Sequence, residues 1–229
     1  MDDDAVGIFY RDFYSATFES GAFSGFAYSL THKLLENSYQ KSESSIDHPT
    51  ILEVGAGKGE HLKFVKNDFS EYVNLDLFEA PDSFSSEYDD RVTWMQADIL
   101  DVRGIRKRFD RVIVMCVLHH VNSPEKAISN MLQILKPGGV LSIFLPSDPG
   151  LLNRLNRKFF ITPRVRKLGF SDYELVNARE HHNHFWALKK ELLHQTKGFN
   201  RKIRYYPFSI PLASMSLFSI WTLTKPSEK

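Results

Sequence analysis

Three glycines stand at alternate positions directly after a short apolar run. The stretch ILEVGAGKGEH, residues 51–61, contains Gly55, Gly57 and Gly59. Glycine lets a backbone approach a ligand closely, because no Cβ stands in the way. Such a turn after a predicted strand indicates a site for a dinucleotide, a phosphate or some other ligand.

The residues inside the turn narrow this choice. A phosphate-binding loop ends in Gly-Lys-Ser/Thr, whereas Lys58 is followed here by Gly59 and Glu60. A dinucleotide-binding loop has the pattern Gly-x-Gly-x-x-Gly, and its third glycine would stand where Glu60 stands. Both patterns fail, so the turn predicts another kind of ligand.

Two aspartates that follow later apolar runs suit an adenosine. Asp76 ends the run NLDL, nineteen residues after Gly57. An acidic side chain at that place can accept hydrogen bonds from both ribose hydroxyls. Asp98 follows the next run, in the segment ADI. Asp76 by itself does not exclude a nicotinamide cofactor.

Elements that would position these residues follow from the pattern of apolar runs after residue 49. Their spacing of about 20 to 30 residues predicts βαβ units, and hence a mostly parallel sheet with helices on both faces. The runs are TILEV, EYVNLDL, RVTWMQAD, FDRVIVMCVL and GGVLSIFLP. A helix before the fifth run is predicted to begin at Asn122 or Ser123 and to end at Pro137-Gly138-Gly139, with Leu135 on its buried face. Ligands of such sheets bind at the carboxyl ends of the strands, where the glycines and aspartates stand.

Together these segments resemble the class I S-adenosylmethionine-dependent methyltransferases of the type called methyltransferase 11. The glycine turn with Glu53 before it is similar to motif I of that family. Asp76, the segment ADI, the run FDRVIVMCVLHHV and the run LKPGGVLSIFLP resemble its later segments, in the same order, and cover residues 50–146. The resemblance implies an α/β fold with a Rossmann-like, seven-stranded, mostly parallel sheet, a helical N-terminal cap and an insert after strand five.

A single methyltransferase domain over residues 1–229 is therefore expected. Its parts would be a helical cap at 1–49, a cofactor-binding core at 50–146, a substrate-side insert at 147–183, and a last helix with a C-terminal strand pair at 184–229.

The resemblance also implies a cofactor, S-adenosylmethionine, and its product, S-adenosylhomocysteine. The backbone of the glycine turn would approach the cofactor, Glu53 would hold the turn or meet the methionine amino group through water, and Cys116 would lie near the methionine end. Asp76 would bind the ribose, Asp98 the adenine amino group, and Ile99 the face of the adenine ring. The expected cofactor-binding residues are Glu53, Gly55, Ala56, Gly57, Gly59, Asp76, Leu77, Asp98, Ile99 and Cys116.

Histidines are the candidates for contact with the methyl acceptor. A hydroxyl acceptor usually needs a base within hydrogen-bonding reach, whereas an amine or a carboxylate does not always need one. His120 follows the fourth run, and His182 lies in NAREHHNHF, within the insert; these two are the catalytic candidates. No metal site is expected, because the adjacent histidines at 181 and 182 point in different directions and no carboxylate other than Glu180 stands near them in the sequence.

Charge is distributed unevenly along the chain. Residues 1–149 carry 14 basic and 23 acidic side chains, whereas residues 150–206 carry 13 basic and 4 acidic ones. The basic segment is either a solvated complement to the acidic part or a surface for an anionic substrate, an acidic membrane or nucleic acid. Because its apolar face is short, at most a peripheral membrane contact is expected.

Composition limits the compartment and the chemistry. The single cysteine, Cys116, excludes an internal disulfide and a cysteine-based zinc site. No stretch approaches the roughly 20 apolar residues that cross a bilayer. The start, MDDDAVGIFYRDF, lacks the features of a secretory signal. A cytoplasmic location is therefore expected.

The acceptor is described only by a further resemblance. The segments LPSDPGLLNRL, NAREHHNHF and YPFSIP are similar to those of methyltransferases from bacterial surface-polysaccharide clusters. That resemblance implies a small polar acceptor, such as a sugar-linked hydroxyl or amine, and the basic segment suits an anionic one. An RNA methyltransferase and a non-catalytic, cofactor-binding partner subunit remain alternatives. A nucleic-acid acceptor is disfavoured, because Cys116-Val-Leu-His-His stands where many base-amino methyltransferases have Asn/Asp-Pro-Pro-Tyr/Phe. The oligomeric state is left open.

Overall fold

Residues 22–42, 46–81, 84, 90–167, 169 and 173–227 are described by a computed structural model. The strands are β1 (Thr50–Val54), β2 (Glu71–Asp76), β3 (Val92–Gln96), β4 (Phe109–Met115), β5 (Leu135–Pro146), β6 (Asn200–Pro207) and β7 (Ser216–Thr224). The α-helices are α1 (Ala22–Gln40), α2 (Pro124–Ile134), α3 (Leu151–Asn156), α4 (Thr162–Lys167), α5 (Tyr173–Glu180) and α6 (Phe185–Gln195). Short 3₁₀ turns cover Glu60–Phe64 and Ala213–Met215, and a π-helical turn, Arg157–Ile161, joins α3 to α4.

The seven strands form one sheet in the order β3-β2-β1-β4-β5-β7-β6. The first five strands pair in parallel, and β7 is antiparallel to both β5 and β6. The predicted seven-stranded, mostly parallel sheet is thus confirmed. Because β1 lies between β2 and β4, the carboxyl ends of these three strands meet at one edge, and the loops that follow them lie side by side.

The central strands form where short runs are mostly apolar, as expected for strands covered on both faces. Leu52, Val112 and Val114 belong to the main core, which also contains the buried faces of α2 and α6. Ile51 and Ile113 point to the opposite face, where they pack with Leu35 of α1. The helices therefore lie on both sides of the sheet, and α1 covers the second side.

The end of α2 differs from the prediction. Pro124 occupies the first turn, and Ala127, Ile128 and Met131 are buried as expected, whereas Ile134 rather than Leu132 completes the buried face. However, the helix ends at Ile134, and Leu135 already belongs to β5, where it pairs with Phe109 of β4. Pro137 disfavours the helical conformation of Lys136, and the pairing of Leu135 with Phe109 of β4 ends the helix one residue before that.

The segment between β5 and α6 is helical, with α3, the π-helical turn, α4 and α5 following one another. Within the expected N-terminal cap, α1 is the helix that the structure describes, and residues 1–21 lie outside the described part. Among the described helices, none has both the length and the hydropathy that crossing a membrane requires.

A buried ion pair joins α1 to the sheet. Glu36 and Arg111 are 1% and 0% exposed, and two guanidinium nitrogens donate to the carboxylate at 2.7 and 3.1 Å. Arg111 also donates to Ser142 at 3.2 Å and lies 3.8 Å from the ring centre of Tyr39. Burial alone would raise the pKa of Glu36, but Arg111 and the hydrogen bond with His61 lower it to about 2. The carboxylate is therefore charged inside the protein.

His61 connects this ion pair to the glycine turn. The structure places His61 in the 3₁₀ turn Glu60–Phe64, fully buried, with Nε2 at 2.9 Å from Glu36 Oε1 and Nδ1 at 2.7 Å from His32 Nδ1. His61 therefore faces the cap, and the chain leaving the glycine turn is fastened to α1.

Replacement of Glu36 by alanine is expected to lower the free energy of unfolding by about 3–5 kcal/mol at pH 7, because Arg111 would be left buried without its counter-charge. Urea denaturation measures this loss. The matched control, Asp68→Ala, removes an exposed pair with Arg91 and should lower the free energy of unfolding far less, because solvent screens an exposed ion pair.

Glu36→Ala should also change how the free energy of unfolding depends on pH in acid. Since the pKa of Glu36 is lowered from 4.5 to about 2 in the folded protein, its stabilising contribution is present above pH 4.5 and is lost as the pH falls from there towards 2. Equal losses in Glu36→Ala and Asp68→Ala would contradict a structural role for the buried pair.

Candidate active site

The glycine turn leaves β1 in a left-handed backbone conformation. Gly55, Gly57 and Gly59 have φ of +69°, +61° and +75°. The amides of Gly55 and Ala56 donate to the carbonyl of Leu75 at 2.8 and 3.2 Å, so the turn is held against the end of β2. Residues with a Cβ adopt such φ values at a cost, which explains the glycines.

Two of these glycines have different surroundings. A Cβ added at Gly55 would lie 2.3 Å from Cγ2 of Val117, whereas one at Gly57 would meet no described atom within 4 Å. Gly55 therefore allows the loop after β4 to pack on the turn. Gly57 presents bare backbone to an open space.

Asp76 closes the turn from the end of β2. Its Oδ2 accepts a hydrogen bond from the Gly57 amide at 2.9 Å, and its Oδ1 accepts one from the Phe78 amide at 3.1 Å. Each carboxylate oxygen has a further lone pair, so the group can still accept from a ligand. Leu77 beside it is 60% exposed. An apolar surface and a carboxylate thus lie together at the edge of the sheet.

Glu53 lies beneath the turn and is 3% exposed. Its carboxylate accepts a hydrogen bond of 2.6 Å from the Tyr72 hydroxyl. Burial raises the pKa of Glu53 to about 7, although His61 and Tyr72 act in the opposite direction. A nearby cationic amino group would favour the ionised form, so this carboxyl suits the role expected for it.

The loop after β3 differs in part from the expectation. Asp98 is exposed and its Oδ1 accepts from the Leu100 amide at 2.8 Å, which leaves the carboxylate accessible. Ile99, which was expected to pack on an adenine ring, is 5% exposed and lies in the main core. Its carbonyl accepts from Asn130 at 2.7 Å. Packing against α2 therefore turns the Ile99 side chain away from the edge.

Cys116 marks the sharp exit from β4. Its φ of +54° is uncommon for a residue with a Cβ and directs the chain into the turn at 117–120. Burial raises the pKa of the thiol to about 12, so the side chain is not a nucleophile at neutral pH. The Val117 carbonyl then accepts from the His120 amide at 2.9 Å. Val117 thus touches the glycine turn and precedes a histidine pair by one turn.

Three histidines meet at this edge. His119 and His120 follow β4, and His181 follows α5; the three ring centres are 4.1 to 4.8 Å apart. Burial and the neighbouring histidines lower the pKa of His119 well below its ordinary value, and burial followed by His181 lowers that of His120 to about 4. Both rings are therefore neutral near pH 7.

His182, the second catalytic candidate, lies outside this cluster. Its side chain is exposed, and its ring nitrogens are 3.2 Å from the Val121 carbonyl and 3.4 Å from the Arg179 carbonyl. The structure therefore brings His120 together with His181 rather than with His182.

Asp148 is a site residue that the sequence reasoning missed. It follows β5, and its Oδ2 lies 2.8 Å from Arg157 and 3.5 Å from His181 Nδ1. Burial alone would raise the pKa of Asp148, but the interaction with His181 and the charge of Arg157 outweigh it and lower the pKa. The sequence could have indicated Asp148 as a site residue, since it follows an apolar run just as Asp76 does.

Asn183 was also missed, and it joins the insert to the loop after β4. Its side-chain amide donates to the carbonyls of Leu118 at 3.1 Å and Val121 at 2.6 Å, and its backbone amide donates to the carbonyl of His119 at 3.3 Å. These bonds cross between distant parts of the sequence, and they hold His181 over the histidine pair.

Residues 52–143 match the family model described as a methyltransferase domain. Over this segment the chain is similar to methyltransferases. A ubiquinone biosynthesis O-methyltransferase of Rickettsia conorii is 28% identical over 119 residues, which are 50% of this chain and 41% of that protein. An uncharacterised Synechococcus protein is 26% identical over 46% of this chain and 27% of its own length. The chain thus spans less than half the length of these relatives.

Solved methyltransferase structures share the fold. The N-methyltransferase NodS from Bradyrhizobium japonicum, in complex with S-adenosylhomocysteine, has a TM-score of 0.63 at 16% identity, with 99% of this chain and 100% of that chain covered. A Burkholderia thailandensis 1,6-didemethyltoxoflavin-N1-methyltransferase has a TM-score of 0.59 at 16% identity, with 99% and 92% covered. At these identities the likeness supports the Rossmann-like methyltransferase fold.

The glycine turn of the methyltransferase domain fits S-adenosylmethionine. The space at Gly57 would be filled by any larger side chain, and the Asp76 carboxylate beside it keeps free lone pairs for ribose hydroxyls. The exposed Leu77 and Asp98 extend the same edge, as an adenosine requires. The Ile99 side chain, by contrast, packs in the main core.

Substitution of Gly55 by alanine should destabilise the methyltransferase domain more than substitution of Gly57. Both changes incur about 1–2 kcal/mol from the left-handed backbone, but Gly55→Ala also forces Val117 to move, at a typical further cost of about 1–3 kcal/mol. Urea denaturation of each variant measures the difference.

The double variant Gly55→Ala/Val117→Ala tests the cause of that difference. Because the overlap is removed, it should be less destabilised than the sum of the two single variants by about 0.5–3 kcal/mol. Strict additivity, or equal losses in Gly55→Ala and Gly57→Ala, would contradict the contact between the glycine turn and Val117.

Proposed function

We propose that this domain transfers a methyl group from S-adenosylmethionine to an oxygen or nitrogen of a small-molecule acceptor. The observation that carries the proposal is the left-handed glycine turn, closed by Asp76 and open at Gly57, at the edge of the sheet where the histidine cluster also lies. The turn would hold the cofactor, and the cluster would face the acceptor.

Cofactor contacts are proposed for the residues at this edge. The backbone at Gly55, Ala56, Gly57 and Gly59 would lie along the cofactor, with Asp76 on the ribose hydroxyls and Leu77 and Asp98 near the adenine. Glu53 would take the methionine amino group through water, and the Cys116 backbone would lie near the methionine end.

Alignment and exclusion of water are the main work of this domain. When bound, the cofactor supplies an electrophilic methyl group on a positively charged sulfur. An in-line displacement needs the acceptor atom on the far side of that carbon, and holding it there removes much of the entropic barrier. The neutral ring of His120 can accept a hydrogen bond from a hydroxyl or amine and orient its lone pair. His182 would act at the rim, since it lies outside the cluster.

An anionic acceptor, such as a sugar-linked hydroxyl or amine that carries phosphate, is favoured by a basic cleft in the insert. The cleft has a volume of about 660 Å³ and includes Arg154, Arg157 and Lys158 together with Tyr173 and Asn177. Arginine pairs well with phosphate oxygens because it can donate two parallel hydrogen bonds. Asp148 connects the cleft to the histidine cluster, since it contacts both Arg157 and His181.

The names of the similar proteins agree with a small acceptor. They include an O-methyltransferase of ubiquinone biosynthesis, the N-methyltransferase NodS and an N1-methyltransferase with bound 1,6-didemethyltoxoflavin. Oxygen and nitrogen are thus both accepted as nucleophiles among proteins with this fold. A cytoplasmic location remains a prediction.

Replacement of Asp76 by alanine should weaken S-adenosylmethionine binding by about 1–3 kcal/mol, or roughly 5- to 150-fold, because a charged hydrogen-bond acceptor is lost. Isothermal titration calorimetry measures the change, with NAD as a second titrant that should not bind. The control, Asp47→Ala, changes an aspartate that is 97% exposed, before β1, and should leave the affinity unchanged. NAD binding without S-adenosylmethionine binding would overturn the cofactor proposal.

Incubation with methyl-labelled cofactor and a panel of nucleotide sugars, sugars, small phenols, quinones and RNA should label an anionic small molecule. The double variant Arg154→Glu/Lys158→Glu should raise the KM for that acceptor at least about tenfold, because two charges in the cleft are reversed. The matched control, Lys190→Glu/Lys197→Glu, makes the same change at exposed positions on and after α6 and should have little effect.

The outcome of the panel separates the alternatives. Label in RNA alone would overturn the small-molecule proposal in favour of an RNA methyltransferase. Tight cofactor binding without transfer to any class of acceptor would favour a non-catalytic partner subunit. An equal KM in both double variants would contradict the cleft as the site of the anionic group.

A further inference from the structure

The histidine cluster has the composition of a metal site. One ring nitrogen from each of His119, His120 and His181 can be chosen so that all three lie within 4.8 Å of one another. The first two come from the turn after β4, and the third comes from the insert, so that the fold rather than a local motif gathers them. Neutral imidazoles are common ligands of divalent transition metals.

His119 has a buried ring nitrogen without a hydrogen bond. It is 4% exposed, and its Nδ1 has no hydrogen-bond partner among the residues that the structure describes. A buried polar atom without a partner costs about 1–3 kcal/mol. Three imidazoles packed together, one of them with a buried and unpartnered nitrogen, are a costly way to build a core, which points to a ligand.

The surroundings of the other two rings are those of metal-binding histidines. His181 Nδ1 faces Asp148 Oδ2 at 3.5 Å, and the His120 ring has a hydrogen bond with the backbone of Glu180. A ligating histidine usually presents its second nitrogen to a carboxylate or a backbone carbonyl, which fixes the ring orientation. Asn183 holds the two loops together at 2.6 to 3.3 Å.

We infer that His119, His120 and His181 bind one divalent transition-metal ion, with zinc the best-suited metal. Three histidines and one open position form a common arrangement for zinc in catalytic sites. Nitrogens at the usual zinc distance lie about 3.4 Å apart in a tetrahedron, so the rings would move inward when the ion binds. The open position would face the acceptor side.

The inference changes the expectation drawn from the sequence. No metal was expected because the histidines at 181, 182 and 184 do not point to one place. The structure separates His181 from the other two and joins it to His119 and His120 instead. If the proposed function holds with a hydroxyl acceptor, the ion would take the place of the direct hydrogen bond to His120, bind the acceptor oxygen and lower its pKa; metal binding itself does not depend on that function.

Metal binding is tested with protein freed of metal by a chelator and then dialysed. Zn²⁺ is titrated by calorimetry in the presence of a competing chelator, and Co²⁺ is followed by the visible absorption of a tetrahedral complex. Both experiments omit S-adenosylmethionine and any acceptor, so a failure to bind metal is distinct from a failure to transfer methyl groups. One ion per chain is the expected result.

Variants locate the site. His181→Gln should weaken zinc binding by more than about 100-fold and abolish the Co²⁺ spectrum, because a ligand is lost. Asp148→Asn should weaken it by about 10- to 100-fold, as is typical of a group that orients a ligand. The controls, His182→Gln and His184→Gln, should bind zinc as the unmodified protein does.

Circular dichroism of each variant without metal shows whether the fold is intact. If His181→Gln unfolds, His120→Gln takes its place with the same expected loss. Absence of binding in the unmodified protein, or an equal loss in His181→Gln and His182→Gln, would overturn the inference.

Discussion

The buried ion pair between Glu36 and Arg111 is the constraint on which the site depends. A charge in the core is tolerated only when it is paired and fully hydrogen-bonded, so α1 and β4 must meet in one arrangement. His61 adds a third partner at 2.9 Å from Glu36. Arg111 lies five residues before Cys116, and His61 lies two residues after Gly59. The pair therefore fixes the chain on both sides of the site.

Strand order carries this constraint to the chemistry. Because β1 pairs with both β2 and β4, the glycine turn has Asp76 on one side and the turn at 117–120 on the other. Contact between Gly55 and Val117 is possible because Gly55 has no side chain and because Cys116 adopts a left-handed conformation. A bulkier residue at 55 would separate the glycine turn from the loop that carries the histidines. The absence of a side chain at Gly55 and the left-handed conformation of Cys116 are therefore both needed for this contact.

The sequence predicts best those features that depend on local pattern. Short, mostly apolar runs indicate the central strands, and the spacing from Gly57 to Asp76 indicates the closed turn. Contacts between distant segments were not predictable in this way: the roles of His61, Asp148 and Asn183 depend on partners 25 to 65 residues away. Ile99 was assigned by resemblance, but its side chain is directed into the core by α2, which no local pattern reveals.

Asp148 connects the two acceptor-side features through charge. Its Oδ2 contacts both Arg157 of the basic cleft and His181 of the cluster, and its Oδ1 has no hydrogen-bond partner among the described residues. A carboxylate there offsets part of the positive charge of the cleft and keeps His181 oriented. An anion bound by Arg154 and Lys158 would not compete with His181 for Asp148, because Asp148 pairs with Arg157 and not with those two residues. The proposed acceptor would therefore have one end in the cleft and the other at the cluster.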